Sequence, residues 1–201
     1  MRPIRQPGSL DSQSRIDTAT GLLDAARQVA SPNCDDRPAG VAPDLIVVHG
    51  ISLPPGEFGG PWIDRLFTNT LPRDEHPYFA EVADRKVSSH LLIRRDGEVV
   101  QYVPFQRRAW HAGVSQYRGR EKCNDFSVGI ELEGTDDLPY EPAQYRALGE
   151  AITALCAAYP TLSLERMAGH SDIAPGRKTD PGDGFDWPRL RAMLAVVSRP
   201  G

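Results

Sequence analysis

The sequence predicts an α/β (α+β) domain, a central mixed β-sheet flanked by helices, and three observations carry that reading. Four segments have the short apolar or alternating pattern of strands: DLIVVHG (44–50), HLLIRRDG (90–97), EVVQYV (98–103) and FSVGIELEG (126–134). The spacing predicts a helix over 142–159, where Tyr145, Leu148, Ile152, Leu155 and Tyr159 recur on one face and Pro142 suits the first turn. Strands and helices also follow one another in mixed order rather than in separate blocks.

Each remaining element has its own signal. Residues 1–18 read as a polar lead-in, with Pro3, Pro7 and Gly8 among Ser and Asp, so the domain is expected over 19–201. TGLLDAARQVA (20–30) reads as a short helix capped by Thr20 and stopped by Pro32. Asp96-Gly97 between two strand patterns is a hairpin signal. Further helices are expected at about 61–68, 75–84 and 185–197. No internal repeat or low-complexity segment is visible.

Composition narrows the function classes. A chain of 201 residues with 40% apolar and 25% charged side chains suits one globular domain with a sizeable core. Its net charge of -4 gives no basic footprint, so nucleic acid is not an expected partner. Cys34, Cys123 and Cys156 are odd in number and form no CxxC, which suits a reducing compartment. The first residues carry charge without the apolar run of an export signal, and no stretch of eighteen apolar residues follows. The expectation is a soluble cytoplasmic protein with no membrane partner, and a monomer.

Of the five histidines, two stand where chemistry is common. His49 closes the apolar run LIVV, where a buried strand emerges, and His170 lies in the turn-rich loop GHSDIAPGRKTDPG (169–182), ten positions before Asp180. Two imidazoles and one carboxylate match a catalytic zinc set with a fourth place left for water; a solvated loop with a surface Asp is the alternative. Asp172 rivals Asp180 as the carboxylate. His76 and His90 read as structural.

Three separated segments then carry a resemblance: VVHGISLPPGEFGGPWID, HLLIRRDGEVVQYVPFQRRAWHAGVSQYRGREKCNDFSVGIELEG and GHSDIAPGRKTDPG. From about Leu45 to Trp187 the chain resembles the cytoplasmic N-acetylmuramoyl-L-alanine amidases of the AmpD type, the 1,6-anhydro-N-acetylmuramyl-L-alanine amidases, which share the amidase-2 or peptidoglycan-recognition-protein fold. The resemblance implies one zinc per chain held by His49, His170 and Asp180, whose bound water attacks the amide between the lactyl group of muramic acid and L-alanine. It implies Glu131 as acid/base and Lys178 as the cation stabilising the oxyanion. Glu133, two residues on, shares the strand face of Glu131 and is its competitor.

The same resemblance implies a small muropeptide as substrate. Trp110 and His111 in RAWHAG are expected to line a groove for sugar and peptide, and Tyr78, Lys86, Lys122, Asn124 and Ala174 align with groove positions of relatives. Gly50 stands where close relatives carry Asn, and Lys86 and Lys122 stand where Arg is common, which loses a bidentate fork. Cys123 is tempting as a nucleophile, but zinc chemistry makes a thiol unnecessary. Two other classes compete with a recycling amidase: a binding module of the same fold that has lost its metal, and a secreted lytic amidase.

Overall fold

The computed structural model describes residues 14–197. In chain order the elements are β1 (Ile16–Asp17), β2 (Leu22–Leu23), β3 (Arg27–Gln28), β4 (Cys34–Asp36), β5 (Leu45–Ile51), α1 (Trp62–Phe67) and α2 (Phe79–Val82). They continue with β6 (Leu91–Ile93), β7 (Val99–Gln101), β8 (Arg107–Ala109), β9 (Gln116–Tyr117), β10 (Arg120–Glu121) and β11 (Ser127–Glu133). The last are α3 (Pro142–Ala158), β12 (Met167–Gly169), α4 (His170–Ile173) and α5 (Trp187–Val197). The expected mixed sheet is present, with six strands in the order β12-β5-β11-β6-β7-β3. Only β6 and β7 are antiparallel neighbours in it, joined through the Asp96-Gly97 turn. The pairs β1–β2, β4–β8 and β9–β10 make separate small ladders.

The two central strands show why the sheet is buried on both faces. Parallel strands are covered by crossovers and read as continuous apolar runs. Leu45 to Val48 and the whole of β11 are accordingly buried. Alternation then divides their residues. Ile46, Val48, Val128, Ile130 and Leu132 pack toward Tyr145, Leu148, Ile152 and Leu155 of α3 and toward Leu190 and Leu194 of α5. Leu45 and Val47 face the other way, against Ala112, Cys123, Phe126 and Ile173. Further along that second face, Leu92 and Val100 meet Ile63, Leu66, Phe79 and Val82 of α1 and α2.

Helix α3 is held at its start by its own sequence. Gln144 Oε1 accepts from the Glu141 amide at 3.0 Å, and its amide group donates to the carbonyls of Ile93 and Glu133 at 3.2 and 3.0 Å. A buried glutamine thus ties the helix to the C-terminal ends of β6 and β11.

The helix expected at 20–30 is absent; β2 and β3 replace it. Gly21 turns the chain with a positive φ of 71°, Leu23 N donates to Gln101 Oε1 at 2.8 Å, and Arg27–Gln28 pair with Val100 and Gln101. An open edge on β7 offers hydrogen bonds that a short helix of modest propensity does not match. The helix expected at 75–84 shrinks to Phe79–Val82, because Pro77 and the His76 turn occupy its first half. The residues expected as a lead-in divide: 1–13 lie outside the described residues, whereas Ile16–Asp17 pair with Leu22–Leu23 and Ile16 packs on the core. Met167–Gly169 was too short to read as a strand from its pattern.

Candidate active site

Two strand ends and one loop build the site. In the parallel ladder of β5 and β11, Glu131 is the direct partner of His49, so both side chains leave the sheet on the face opposite α3. On the other side of β5, β12 runs into α4, whose first residue is His170. The chain then returns through Asp180, whose carbonyl accepts from the Ser171 amide at 2.9 Å.

His49, His170 and Asp180 come together. His49 Nδ1 lies 2.9 Å from His170 Nδ1 and 3.3 Å from Asp180 Oδ2, and His170 Nδ1 lies 3.0 Å from the same carboxylate oxygen. Four-coordinate zinc with bonds of about 2.0–2.1 Å has ligand-to-ligand edges of about 3.3 Å, close to this triangle. The other ring nitrogens are engaged elsewhere. His170 Nε2 faces the Ala112 carbonyl at 3.2 Å, which can only accept, so neutral His170 carries its proton there and Nδ1 is bare. His49 Nε2 is bonded to His111 Nδ1 at 2.9 Å. Bare nitrogens and a carboxylate at such separations repel one another until a cation sits among them, so these residues fit a zinc ion.

The electrostatics agree. Burial holds the His49 imidazole down at about 4 and the His111 imidazole well below the usual range, so both are neutral at pH 7. Burial raises Asp180, but its bonds to His170 and His49 outweigh this and leave the carboxyl well below the ordinary range, hence ionised. Glu131 is the opposite case: burial, then the charge of Asp180, pushes its carboxyl well above the usual value. Its Oε1 lies 3.9 Å from His49 Nδ1, and its buried Oε2 has no hydrogen-bond partner.

Both rivalries left open by the sequence are separated by these partners. Glu133 Oε1 accepts from Gly59 N at 2.7 Å and pairs with Arg94 Nη1 at 3.1 Å, so it anchors a loop and a strand. Exposed Asp172 caps α4, with Oδ2 accepting from Gly169 N at 2.7 Å. Neither carboxylate is free to serve the centre.

An open cleft of about 260 Å³ leads to Glu131, His170 and Asp180, and Gly50, Leu53, Tyr78, Arg85, Trp110, His111 and Lys178 stand along it. A larger recess of about 330 Å³, walled by Leu23, Arg27, Glu98 and Glu150, has no histidine and no convergent donors; the chemistry belongs to the smaller cleft. Lys178 is exposed on the rim, and its charge draws the Glu131 carboxyl back down by a lesser amount. Trp110 is fixed by Nε1 donating to Asp35 Oδ1 at 3.1 Å.

Other expected groove residues fall elsewhere. Lys86 and Lys122 are exposed outside the cleft lining, and Arg85 joins Lys178 as a cation along it. Asn124 Oδ1 accepts from the amides of His111 and Ala112 at 3.1 and 2.8 Å, so it shapes the loop. The buried Ala174 accepts from the Arg177 and Lys178 amides at its carbonyl, setting the turn that carries Lys178. At Gly50 a Cβ would stand 2.3 Å from the hydroxyl oxygen of Tyr140, which donates to the Pro181 carbonyl at 3.1 Å; the space of an Asn side chain is taken by that tyrosine. Arg85, Ser127 and Tyr140 were not singled out by sequence. Their roles depend on contacts remote along the chain. A clue existed in the Gly129 of SVGIELE, since glycine inside a strand marks a close approach.

Comparison with known proteins gives a consistent picture. The family model described as N-acetylmuramoyl-L-alanine amidase matches residues 39–183. The chain is 63% identical over 178 residues to the 1,6-anhydro-N-acetylmuramyl-L-alanine amidase AmpD of Salmonella typhimurium, covering 89% of this chain and 95% of that protein. It superposes on a crystal structure of a selenomethionine AmpD derivative with a TM-score of 0.86 at 61% identity, covering 89% of this chain and 98% of the other. At greater distance it matches the Escherichia coli amidase AmiD in complex with the substrate anhydro-N-acetylmuramic acid-L-Ala-D-γ-Glu-L-Lys, with TM-score 0.54, 28% identity and coverage of 90% and 66%.

Proposed function

The chain belongs to the N-acetylmuramoyl-L-alanine amidase family, and from that premise we propose that it is a zinc-dependent amidase of cytoplasmic peptidoglycan recycling. It hydrolyses the lactyl–L-alanine amide of 1,6-anhydromuropeptides, as a monomer with one zinc per chain and with no nucleic-acid or membrane partner. The observation that carries this reading is the convergence of His49 Nδ1, His170 Nδ1 and Asp180 Oδ2 beside the unpartnered Oε2 of Glu131. The likeness to AmpD supports the substrate. The described residues include no helix long and apolar enough to cross a membrane.

His49, His170 and Asp180 would hold a zinc ion, which when bound would supply a Lewis acid for the amide carbonyl and would lower the pKa of a water from about 15.7 to about 7. Glu131, whose Oε2 has no hydrogen-bond partner, would take a proton from the attacking water and deliver it to the alanine nitrogen as the C–N bond breaks. Burial, then the charge of Asp180, holds its carboxyl above the ordinary value, which makes it a stronger base than a solvated glutamate. The Lys178 ammonium faces the oxyanion that develops on the carbonyl oxygen. Tyr78, Trp110 and Arg85 line the approach, giving a sugar and peptide two aromatic surfaces and a cation for peptide carboxylates. The products are the lactyl carboxylate of the anhydro sugar and the free amino terminus of the peptide.

The test offers equal concentrations of a defined anhydromuropeptide and of intact sacculi, with metal analysis of the protein used. The expected result is about one zinc per chain, loss of activity with a strong chelator, recovery on adding zinc, and new amino termini released far faster from the soluble substrate. Full activity in a rigorously metal-free preparation sinks the zinc assignment. Comparable rates on sacculi favour a lytic amidase.

A further inference from the structure

His111 stands along the cleft, yet both of its ring nitrogens and its backbone amide are already committed. Its amide donates to Asn124 Oδ1 at 3.1 Å, its Nδ1 lies 2.9 Å from His49 Nε2, and its Nε2 lies 3.1 Å from Ser127 Oγ. The ring stands edge-on to that of His49, with centroids 5.0 Å apart and planes at 88°. The residue is 8% exposed. Space for it comes from Gly129 on β11, where a Cβ would fall 2.4 Å from the His111 Cγ. A glycine inside a central strand weakens that strand, so its presence here marks what the site requires.

The direction of this chain of bonds follows from its far end. Ser127 Oγ lies 2.6 Å from the Cys123 carbonyl, which can only accept, so the hydroxyl proton goes there. The serine oxygen therefore accepts from His111, and His111 carries its proton on Nε2. Neutral His111 then has a bare Nδ1, which accepts from His49 Nε2–H. His49 is left with its lone pair on Nδ1, toward His170 and Asp180. Resting on the zinc reading, we propose that His111 is a positioning residue that sets the tautomer and ring orientation of His49, and that Ser127, through the Cys123 carbonyl, sets His111. Ligand imidazoles depend on such outer partners for affinity.

The experiment has two arms. In metal-free wild-type protein, ¹⁵N NMR of the imidazoles is expected to show His49 protonated at Nε2 and bare at Nδ1. In the second arm, zinc dissociation constants are measured by competition with a chromophoric chelator, on variants whose fold is checked by circular dichroism. His111→Phe keeps a ring without an acceptor and is expected to weaken zinc about 10–100-fold. His111→Asn places an amide oxygen near the former Nδ1 and recovers most of that loss, while Ser127→Ala gives a smaller weakening. The proposal is overturned if His49 carries its proton on Nδ1, if His111→Phe binds zinc as tightly as wild type, or if the Asn variant does no better than the Phe variant. Wild-type protein that takes up no zinc refutes the metal reading instead, and the NMR arm still decides the tautomer.

Discussion

Strands β5 and β11 present two faces that are equally buried and chemically opposite. Toward α3 they offer Ile46, Val48, Val128, Ile130 and Leu132, all fully buried and all aliphatic. On the reverse, the same strands offer His49, Ser127, Glu131 and Glu133, also buried. Dispersion and the hydrophobic effect hold the first face, and neither is sensitive to direction. On the second face Leu45 and Val47 also pack against apolar neighbours, but its polar part is held by assigned bonds: Glu133 to Arg94, Ser127 to the Cys123 carbonyl, His49 to His111. The difference teaches where the chemistry is. Among these polar side chains, the buried atom without a partner is the Oε2 of Glu131, while the Nδ1 of His49 faces His170 and Asp180, and both lie on the side where the cleft opens.

If the faces are separable, each can be broken alone. The largest effect is expected on the apolar side. Ile130→Ala leaves a cavity under α3 and should cost about 2–5 kcal/mol of unfolding free energy, while zinc per folded chain stays at the wild-type level. Denaturant titration with metal analysis checks this, and loss of zinc from a still-folded variant would show that the faces are coupled.

Glu131→Gln breaks the polar side at its most exposed point of function. Turnover should fall about 100-fold or more, or about 2.7 kcal/mol of barrier, with zinc retained. Stability should move the other way. The folded protein holds the Glu131 proton more tightly than the unfolded chain does, so the carboxyl is no burden below the ordinary value near pH 4.3. It opposes folding as pH rises through its raised folded value. The metal-free variant is therefore expected to melt higher than wild type at neutral pH, with the gap closing in acid. Glu133→Gln is the control, since it loses the Arg94 pair and so moves stability rather than turnover. Equal turnover losses in the two variants would erase the distinction between them.

The smallest effect is a slope. Burial holds His90 down at about 3, where its Nδ1 accepts from Gly129 N and its Nε2 donates to the Arg107 carbonyl. The unfolded chain takes up that proton near pH 6.5 and the folded one does not, so stability is full above 6.5 and falls as pH drops. The contribution is about 1.4 kcal/mol per pH unit. His49 and His111 add to the same slope, so the difference in denaturant midpoints between pH 7.5 and 5.5 is compared in wild type and His90→Gln, and equal slopes in the two would mean that His90 protonates without penalty.

The apolar face was largely legible in the sequence because its signals are local: the runs in β5 and β11, the period of α3 and the Asp96-Gly97 turn each occupy a few neighbouring residues. The helix expected at 20–30 failed for the converse reason. Its residues pair with Gln101, some 70 positions away, and no window of the chain contains that partner. The polar face divides in the same way. The resemblance named His49, Glu131, His170 and Asp180 over Asp172 and Glu133, and the bonds of those two to Gly169 and Arg94 add a physical reason that no local pattern carries. His111 was expected along the groove and does stand along the cleft, but its bond to His49 spans 62 residues and no local pattern announces it.

The pairing of Glu131 with His49 across β11 and β5 has a consequence for how this protein can vary in length. A strand has only two sides, so one residue added or removed between Ser127 and Ile130 turns Glu131 into the α3 core and brings a leucine or isoleucine to the side of His49. Foldedness and activity would vanish in one step, with no intermediate form for selection to keep. Changes of two residues preserve the side, though they displace the carboxylate by about 7 Å along the strand, beyond reach of the amide. The stretch from the Cys123 carbonyl to Glu131 is thus expected to tolerate no change of length, and length variation is expected to collect in the connections outside it.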